Sequence, residues 1–449
     1  MKVKGQVKKH MSKCTNQTNL SWWQLSFIGV GCIIGTGYFL GSAIPIQKAG
    51  SSVLIAYLLA GIGTWMVFQA LAKLTAHHPE KGSFRTYAKQ AYGSWAGFSN
   101  GWVYWSAEML IMGSQLTALA LFAQFWFPAV PLWVFTAGFA GLGLLIILMG
   151  VQKVEQMENL FGIMKIAAIV MFVIIACAAM FGWSGIGASA QQLQSPLKDV
   201  LPHYGKGLWL ALLFAFYGFG GIEVMGLMAQ ELKDPKDAPK SGNIMLLILT
   251  ILYLLSFYLV LKLVPEGRID TNESPFLTAL KQYDLPWVPH VFNAILIIAG
   301  FSTMVASLYA VTTMLVALAE EGDAPKVFAK TGKMKVPLPA FGLTTLVVAV
   351  SIIIAMLLPD RLFEYITTAA GLMLLYTWIF ILASFHKLMS KTGWERIQTL
   401  FALLLIVLAI SGTLLDHVSR IGFFVSIGFI MLIGIATFIK GKRAKAGTL

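Results

Sequence analysis

The chain has 449 residues, of which 57% are hydrophobic and only 12% are charged, with a mean hydropathy of +0.75. Soluble domains are about 45–50% apolar and about 25% charged, so this composition excludes an ordinary soluble protein and indicates a membrane protein. The net charge of +13 does not indicate nucleic-acid binding, because the basic residues are spread between apolar segments and form no single dense face.

Taken in chain order, twelve apolar runs have the roughly 20 residues that a membrane-spanning helix needs. The loops between them are short, and we expect no independent soluble domain. The basic residues 1–20 resemble the start of a signal peptide, but the run behind them is too long and lacks a cleavage site, so we expect a retained first helix. The predicted spans are residues 24–46, 52–76, 95–122, 127–149, 159–182, 207–229, 243–264, 288–318, 338–358, 363–385, 397–415 and 419–439.

Basic residues lie mainly in alternate loops. With a cytoplasmic amino terminus, 24 of the 33 Lys and Arg residues lie on the cytoplasmic side, 8 lie on the other side and Lys165 falls within a span. This bias is the positive-inside pattern, so we expect a multi-pass plasma-membrane protein with both termini in the cytoplasm. The predicted regions are a tail (1–20), spans one to five (21–182), spans six to ten (183–387), spans eleven and twelve (388–440) and a tail (441–449).

The patterns of enzymes, metal sites and channels are not found in the sequence. Cys14, Cys32 and Cys177 lack the spacing of a disulfide framework or zinc site. His77 and His78 end a predicted helix and form no His-x-x-x-His pair. We therefore expect no enzyme, metal or cofactor. The repeated filter loops and charged rings typical of channels are also not found.

Glycines interrupt two of the apolar runs. The first run contains FIGVGCIIGTGYFLGS, and the sixth contains FAFYGFGGIEVMG. Glycine costs a helix about 1 kcal/mol relative to alanine, and backbone groups freed by a break survive in a membrane only where protein or a cavity satisfies them. The breaks are five spans apart, as expected of a five-helix inverted repeat. The alternative is that these glycines serve only helix packing.

A broken helix offers binding groups of both signs. The amino terminus of a half-helix attracts an anionic group, and exposed carbonyls attract a cation. An amino acid carries both a carboxylate and an ammonium group, so it is the ligand that two such breaks predict.

Four segments carry a more specific pattern: GCIIGTGYFLGS, EKGSFRTYAKQAYGSWAGFSNGWVYW, GGIEVMGLMAQELKDPKDAPK and ALAEEGDAPKVFAKTGKMKVPLPA. In this order they resemble the amino acid permeases of the APC (amino acid-polyamine-organocation) superfamily, in particular the bacterial amino acid transporter branch. The resemblance runs from about Gln24 to Lys335 and less distinctly to Lys387. It implies an all-α membrane protein of 12 transmembrane helices, with a LeuT-type 5+5 inverted repeat and discontinuous helices 1 and 6.

The resemblance also implies a substrate site between the two breaks. Amides around Thr36 and Gly37 would bind the substrate carboxylate, and the carbonyls of Ile33, Tyr217 and Gly220 would bind its ammonium group. Tyr217 stands where the family has an aromatic gate, more often Phe or Trp; the alternative is an ordinary interior aromatic residue. The candidate substrate-binding residues are Ile33, Gly35, Thr36, Gly37, Ala107, Glu108, Met112, Tyr217, Gly218 and Gly220.

Three ionisable residues stand out because they lie deep within predicted spans, where a charge costs at least about 2.5–3.5 kcal/mol. Lys165 matches the lysine that similar proton-coupled transporters use in place of sodium, and it is the candidate proton carrier or else a fixed structural charge. Glu223, the second proton-coupling candidate, is expected in a network around the broken helix, with direct substrate contact as the alternative. Glu108 either pairs with a cationic substrate, titrates during transport or is a neutral, hydrogen-bonded acid.

The sequence therefore predicts a secondary active transporter that imports a neutral apolar L-amino acid with protons by alternating access. A cationic amino acid transporter, an exchanger and a transporter-like amino acid sensor are the alternatives. The expected partners are the amino acid, protons and membrane lipid. The charged loops ELKDPKDAPK and AEEGDAPK are expected to form either a network on the cytoplasmic side or a solvated surface.

Overall fold

The computed structural model describes residues 20–80, 82–149, 151–180, 205–229, 232–283, 285–330, 337–357, 362–390 and 392–446. Within these ranges all regular structure is helical, apart from one isolated backbone bridge between Leu20 and Leu232. Cys14 and most of the predicted amino-terminal tail lie outside the described residues.

Seventeen α-helices are present in the described ranges. The first eight are α1 (Trp22–Ile33), α2 (Thr36–Phe39), α3 (Ala43–Ala49), α4 (Val53–His77), α5 (Ser83–Tyr92), α6 (Ser94–Gln124), α7 (Leu132–Met149) and α8 (Val151–Met180). The others are α9 (Gly205–Tyr217), α10 (Ile222–Met228), α11 (Ala238–Leu263), α12 (Pro275–Leu280), α13 (Val288–Glu320), α14 (Leu338–Leu357), α15 (Leu362–Leu388), α16 (Gly393–Gly412) and α17 (His417–Ala446).

Ten stretches of the described residues are long and apolar enough to cross a membrane, and α1 and Leu132–Leu148 are shorter apolar helices. One of the ten, Thr36–His77, contains both the second half of the first predicted span and the whole of the second. The protein is thus a multi-pass, all-helical membrane protein. The sequence did not predict the short helices α5 and α12, which are too brief to span a bilayer.

Helix α6 lies at the centre of the fold, where it packs against α13, α15 and α5. Of its most apolar window, 78% is buried within the protein, compared with 17% for α17. Helices α4 and α11 pack against each other, and α9 packs against α3 and α4. The exposed side chains of α14, α16 and α17 are largely apolar, which suits helices that face lipid.

Both predicted helix breaks are present. Residues 34 and 35 separate α1 from α2, and residues 218–221 separate α9 from α10. Gly35 has extended backbone angles, φ −152° and ψ −158°. Gly221 has φ +118°, a conformation that residues with a Cβ rarely adopt. The glycine clusters therefore mark true interruptions of the helices.

Candidate functional site

The two breaks lie against each other. A Cβ atom added to Gly37 would lie 2.9 Å from Cε1 of Tyr217, and one added to Gly221 would lie 3.1 Å from Cγ1 of Ile33. Gly37, just after the first break, thus lies against Tyr217, and Gly221 of the second break lies against Ile33. The substrate-binding role of Ile33, Gly37 and Tyr217 stays a prediction.

The first break leaves backbone donors without protein partners. No described group accepts a hydrogen bond from the N–H groups of Gly35, Thr36 and Gly37. The carbonyl of Gly35, in contrast, accepts from the N–H groups of Tyr38 and Phe39, both at 3.1 Å. Three consecutive donors in a buried segment carry a cost unless something accepts their hydrogen bonds. The first break can therefore bind an anionic group.

The second break is satisfied by the protein itself. The N–H groups of residues 218–220 each donate to a carbonyl three or four residues earlier. The N–H of Gly221 donates to Oε2 of Glu223 at 3.0 Å, and the hydroxyl of Tyr253 donates to the carbonyl of Gly218 at 3.0 Å. The N–H groups within this break are therefore all paired.

Helix α13 closes the side of the first break. A Cβ atom added to Gly35 would lie 3.2 Å from Cγ2 of Thr303, and one added to Gly300 would lie 3.0 Å from Cγ2 of Thr36. Thr303 donates its own hydroxyl to the carbonyl of Gly300 at 2.9 Å. The unwound segment thus packs tightly on an apolar face of α13, which limits its movement on that side.

Lys165 reaches the first broken helix from α8. Its Nζ atom donates to the carbonyl of Gly31 at 2.8 Å, and the residue is 2% exposed. Gly31 and Gly162 allow α1 and α8 to approach closely, since a Cβ atom on Gly31 would lie 3.5 Å from the Cα atom of Gly162. Because α8 begins at Val151, Lys165 lies about four turns into its helix, deeper than the two turns that the predicted span implied.

Glu223 holds the second break in place. One carboxylate oxygen accepts from the N–H of Gly221 and the other from Nε1 of Trp378 on α15. The residue is 1% exposed, so these donors replace water as its partners. This geometry agrees with a network role for Glu223.

Glu108 is buried on α6 among hydroxyl groups. Tyr104 of the same helix and Ser307 of α13 lie near its carboxyl group. The residue is 8% exposed. Hydroxyl-bearing residues of α6 and α13 therefore lie beside this acid, and its role stays a prediction.

Two other predicted pocket residues, both on α6, lie in separate apolar clusters. Ala107 packs with Val103, Met373 and Ile433. Met112 belongs to a separate cluster that α6 forms with α7, α13 and α14. No contact of either residue with the breaks is described, and their substrate-binding role stays a prediction.

Three residues at the breaks were not predicted from the sequence: Ser114, Tyr253 and Trp378. Ser114 forms a hydrogen bond with the hydroxyl of Tyr217 at 2.7 Å. Each lies on an apolar helix at a position that sequence patterns assign to the core. A polar group inside an apolar span is the one signal that could have drawn attention to Ser114.

Ion pairs lie at the ends of the helices. At the end of α3, Nζ of Lys48 lies 2.8 Å from Glu364 and 2.9 Å from Asp416. Burial by itself would raise the pKa of Asp416, but hydrogen bonds from Ser419 and the Lys48 ammonium group hold that pKa below its ordinary value. The carboxylate is thus charged at neutral pH, and Lys48 ties the first broken helix to α15 and to the start of α17.

A second ionic cluster joins α5, the end of α13 and α17. Arg85 binds both carboxylate oxygens of Glu321, at 3.1 and 2.8 Å, and lies 2.6 Å from Asp323. Lys440 also contacts Asp323. Glu321 and Asp323 of the loop AEEGDAPK thus belong to an ionic network, and its location on the cytoplasmic side stays a prediction.

Metal binding has no support in the described residues, where no group of three His, Cys, Asp or Glu side chains is arranged to hold an ion.

Comparison with known proteins decides the family. The sequence matches the family described as "Amino acid permease" over residues 24–439. The chain belongs to this family of the APC superfamily.

Its relatives are named as transporters and not as enzymes. The chain is 53% identical to the uncharacterized transporter YcgH of Bacillus subtilis (strain 168), covering 98% of each chain. It is 30% identical to the aromatic amino acid transport protein AroP of Escherichia coli (strain K12), over 94% of this chain and 95% of that protein. It is 29% identical to the uncharacterized amino acid permease YvbW of B. subtilis, over 93% and 96%. The protein is therefore an amino acid transporter of the membrane.

Proposed function

We propose that this permease imports a neutral, apolar L-amino acid with protons across the plasma membrane by alternating access. In this proposal the chain crosses the membrane twelve times and contains two inverted five-span repeats, with α1–α3 as the first broken helix and α9–α10 as the sixth. Both termini face the cytoplasm, in agreement with the distribution of basic residues.

One observation carries the proposed binding mode: the unpaired N–H groups of Gly35, Thr36 and Gly37 lie beside the second break. They can bind the substrate carboxylate. The carbonyls of Ile33, Tyr217 and Gly220 can bind its ammonium group, since the Tyr217 carbonyl uses one lone pair for the Gly220 N–H and keeps another.

The proposed substrate class follows from the surroundings of the breaks. The side chains against them, such as those of Tyr217, Leu374 and the methyl group of Thr303, are mainly apolar. AroP, a relative over nearly the full length, is named for aromatic amino acids. Phenylalanine and leucine are thus the first substrates to test.

A cationic substrate is the alternative that Glu108 raises. Tyr104 and Ser307 lie beside its carboxyl group, and their hydroxyls can serve this acid as hydrogen-bond partners in place of a cationic substrate. Amino acid exchange would use the same site without a proton gradient. A sensor would bind the amino acid without moving it.

The proposed proton carrier is Lys165, which donates to the Gly31 carbonyl of the first broken helix. A change in its charge would alter that hydrogen bond and so couple protonation to the position of α1. We expect Lys165→Met to lose uptake driven by a proton gradient. Unchanged dependence of uptake on the gradient would exclude Lys165 as the carrier.

The first experiment is uptake of a radiolabelled amino acid panel into proteoliposomes, with proton and sodium gradients imposed in turn. The proposal expects uptake of neutral apolar amino acids when the outside is acidic. Uptake of lysine or arginine would favour the cationic alternative. Uptake that occurs only when the proteoliposomes already contain amino acid would favour exchange. Binding without any uptake would favour the sensor.

A further inference from the structure

Tyr217, the last residue of α9, is held between two glycines. Its ring lies against Gly37 of the first break, and its Cβ atom lies 3.6 Å from the position that a Cβ atom of Gly371 would take. The residue is 8% exposed. Backbone thus lies close to one edge of the ring and to the Cβ atom, but this packing alone does not determine where the hydroxyl group points.

The hydroxyl group has one described partner, Ser114 of α6. The two oxygens are 2.7 Å apart, and Ser114 is fully buried. Ser114 also donates to the carbonyl of Ile111 at 2.8 Å. Since a serine hydroxyl has one proton, Ser114 accepts the hydrogen bond from Tyr217, and a directed chain runs from Tyr217 through Ser114 to Ile111.

We propose that Ser114 is a positioning residue that holds the Tyr217 ring across the first break and thereby sets selectivity for apolar substrates. The proposal rests on the proposed function, in which substrate binds between the two breaks. With its hydroxyl bound to Ser114, Tyr217 presents only its apolar ring to the substrate. The hydroxyl is not available to a polar substrate side chain.

Removing either partner has different consequences. Ser114→Ala leaves a buried tyrosine hydroxyl without its acceptor, which is unfavourable and frees that hydroxyl to bind a polar group. Tyr217→Phe removes the hydroxyl altogether, while Ser114 keeps its bond to Ile111. The Ser114→Ala substitution therefore matters only when Tyr217 is present.

The test is uptake of L-phenylalanine and L-tyrosine by the full-length protein in proteoliposomes. We expect Ser114→Ala to raise KM for phenylalanine about fivefold, the effect of one neutral hydrogen bond, and to lower the preference for phenylalanine over tyrosine. Ser114→Ala added to Tyr217→Phe should change neither quantity further. Thr117→Val is the matched control, because the Thr117 hydroxyl donates only to Gly113 of its own helix.

Three results would overturn the proposal: an unchanged preference in Ser114→Ala, an equal KM change in the Tyr217→Phe background, or the same changes in Thr117→Val. Unfolding temperatures in detergent test the contact separately. They are measured for the wild type, Ser114→Ala, Tyr217→Phe and the double variant, since additive effects of the two substitutions would exclude the hydrogen bond. If wild-type protein takes up no amino acid of the wider panel, the proposed function fails and the selectivity role of Ser114 fails with it. Non-additive changes in unfolding temperature would then still support the hydrogen bond as a purely structural contact.

Discussion

The two helix breaks differ in how their backbone groups are satisfied. At the first, the N–H groups of Gly35, Thr36 and Gly37 have no acceptor among the described residues. At the second, every N–H group of residues 218–221 is paired, and Glu223 and Tyr253 supply side-chain partners. The first break therefore has binding groups to offer a ligand, whereas the second is built as a fixed part of the structure.

The two broken helices also differ in where they are anchored. The first is held at its ends, by the backbone bridge between Leu20 and Leu232 and by the ion pairs of Lys48. The second is held at the break itself by Glu223 and Trp378. A helix fixed at its ends and unpaired at its centre can respond to a ligand there, and this contrast can be tested at four points.

The largest effect should come from neutralising the substrate carboxylate. If the unpaired N–H groups of the first break bind it, the amide of the best-transported amino acid should compete for uptake at least about a hundredfold less well, because two hydrogen bonds to a charge are lost. Competition uptake in proteoliposomes measures this. The control is an amino acid that keeps its carboxylate and has a longer apolar side chain. An amide that competes as well as its parent amino acid would contradict carboxylate binding at the first break.

The next effect concerns the Glu223 network. Glu223→Gln has one acceptor oxygen for two buried donors, so we expect it to lower the free energy of unfolding by about 1–3 kcal/mol. Trp378→Phe should also destabilise the protein, and the double substitution should cost less than the two single changes together. Thermal unfolding in detergent measures all three. Strictly additive losses would show that the two residues do not act as a unit.

Tyr253 offers a smaller change at the same break. Tyr253→Phe removes the hydrogen bond to the Gly218 carbonyl and should cost about 1 kcal/mol. Tyr57→Phe is the matched control: its buried hydroxyl has no described partner, and its ring packs against Tyr253. Equal destabilisation by both substitutions would exclude a specific role for Tyr253.

The smallest effect is expected at the end of the first broken helix. The pKa of Asp416 is held below its ordinary value of 3.8, so its contribution to stability is present above about pH 4 and is lost as the pH falls through the lower, folded-state pKa. Asp416→Asn should lower the unfolding temperature at pH 7 by about 1–2 °C. This difference in unfolding temperature should shrink below about pH 4. A difference that grows on acidification would contradict a lowered pKa of Asp416 in the folded protein.

Features encoded within one segment could be predicted from the sequence. Apolar runs marked the long helices, and glycine clusters marked both breaks, because hydrocarbon length and backbone freedom are local properties. The start of α8 was missed, since its first turns carry charged residues such as Lys153 and Glu155 that do not look like a membrane span. Helix α5 was missed because it is short and only half of its residues are apolar.

The sequence by itself determined the membrane class, the family resemblance and the positions of the two breaks, because each depends on residue type and short-range order. The tertiary structure decided which break is left unpaired, since Glu223, Trp378 and Tyr253 reach the second break from three different helices. It also decided that Ser114, 103 residues from Tyr217 in the chain, accepts the hydrogen bond from its hydroxyl. Hydrogen-bond partners so distant in sequence are set by helix packing, and no local pattern encodes that packing.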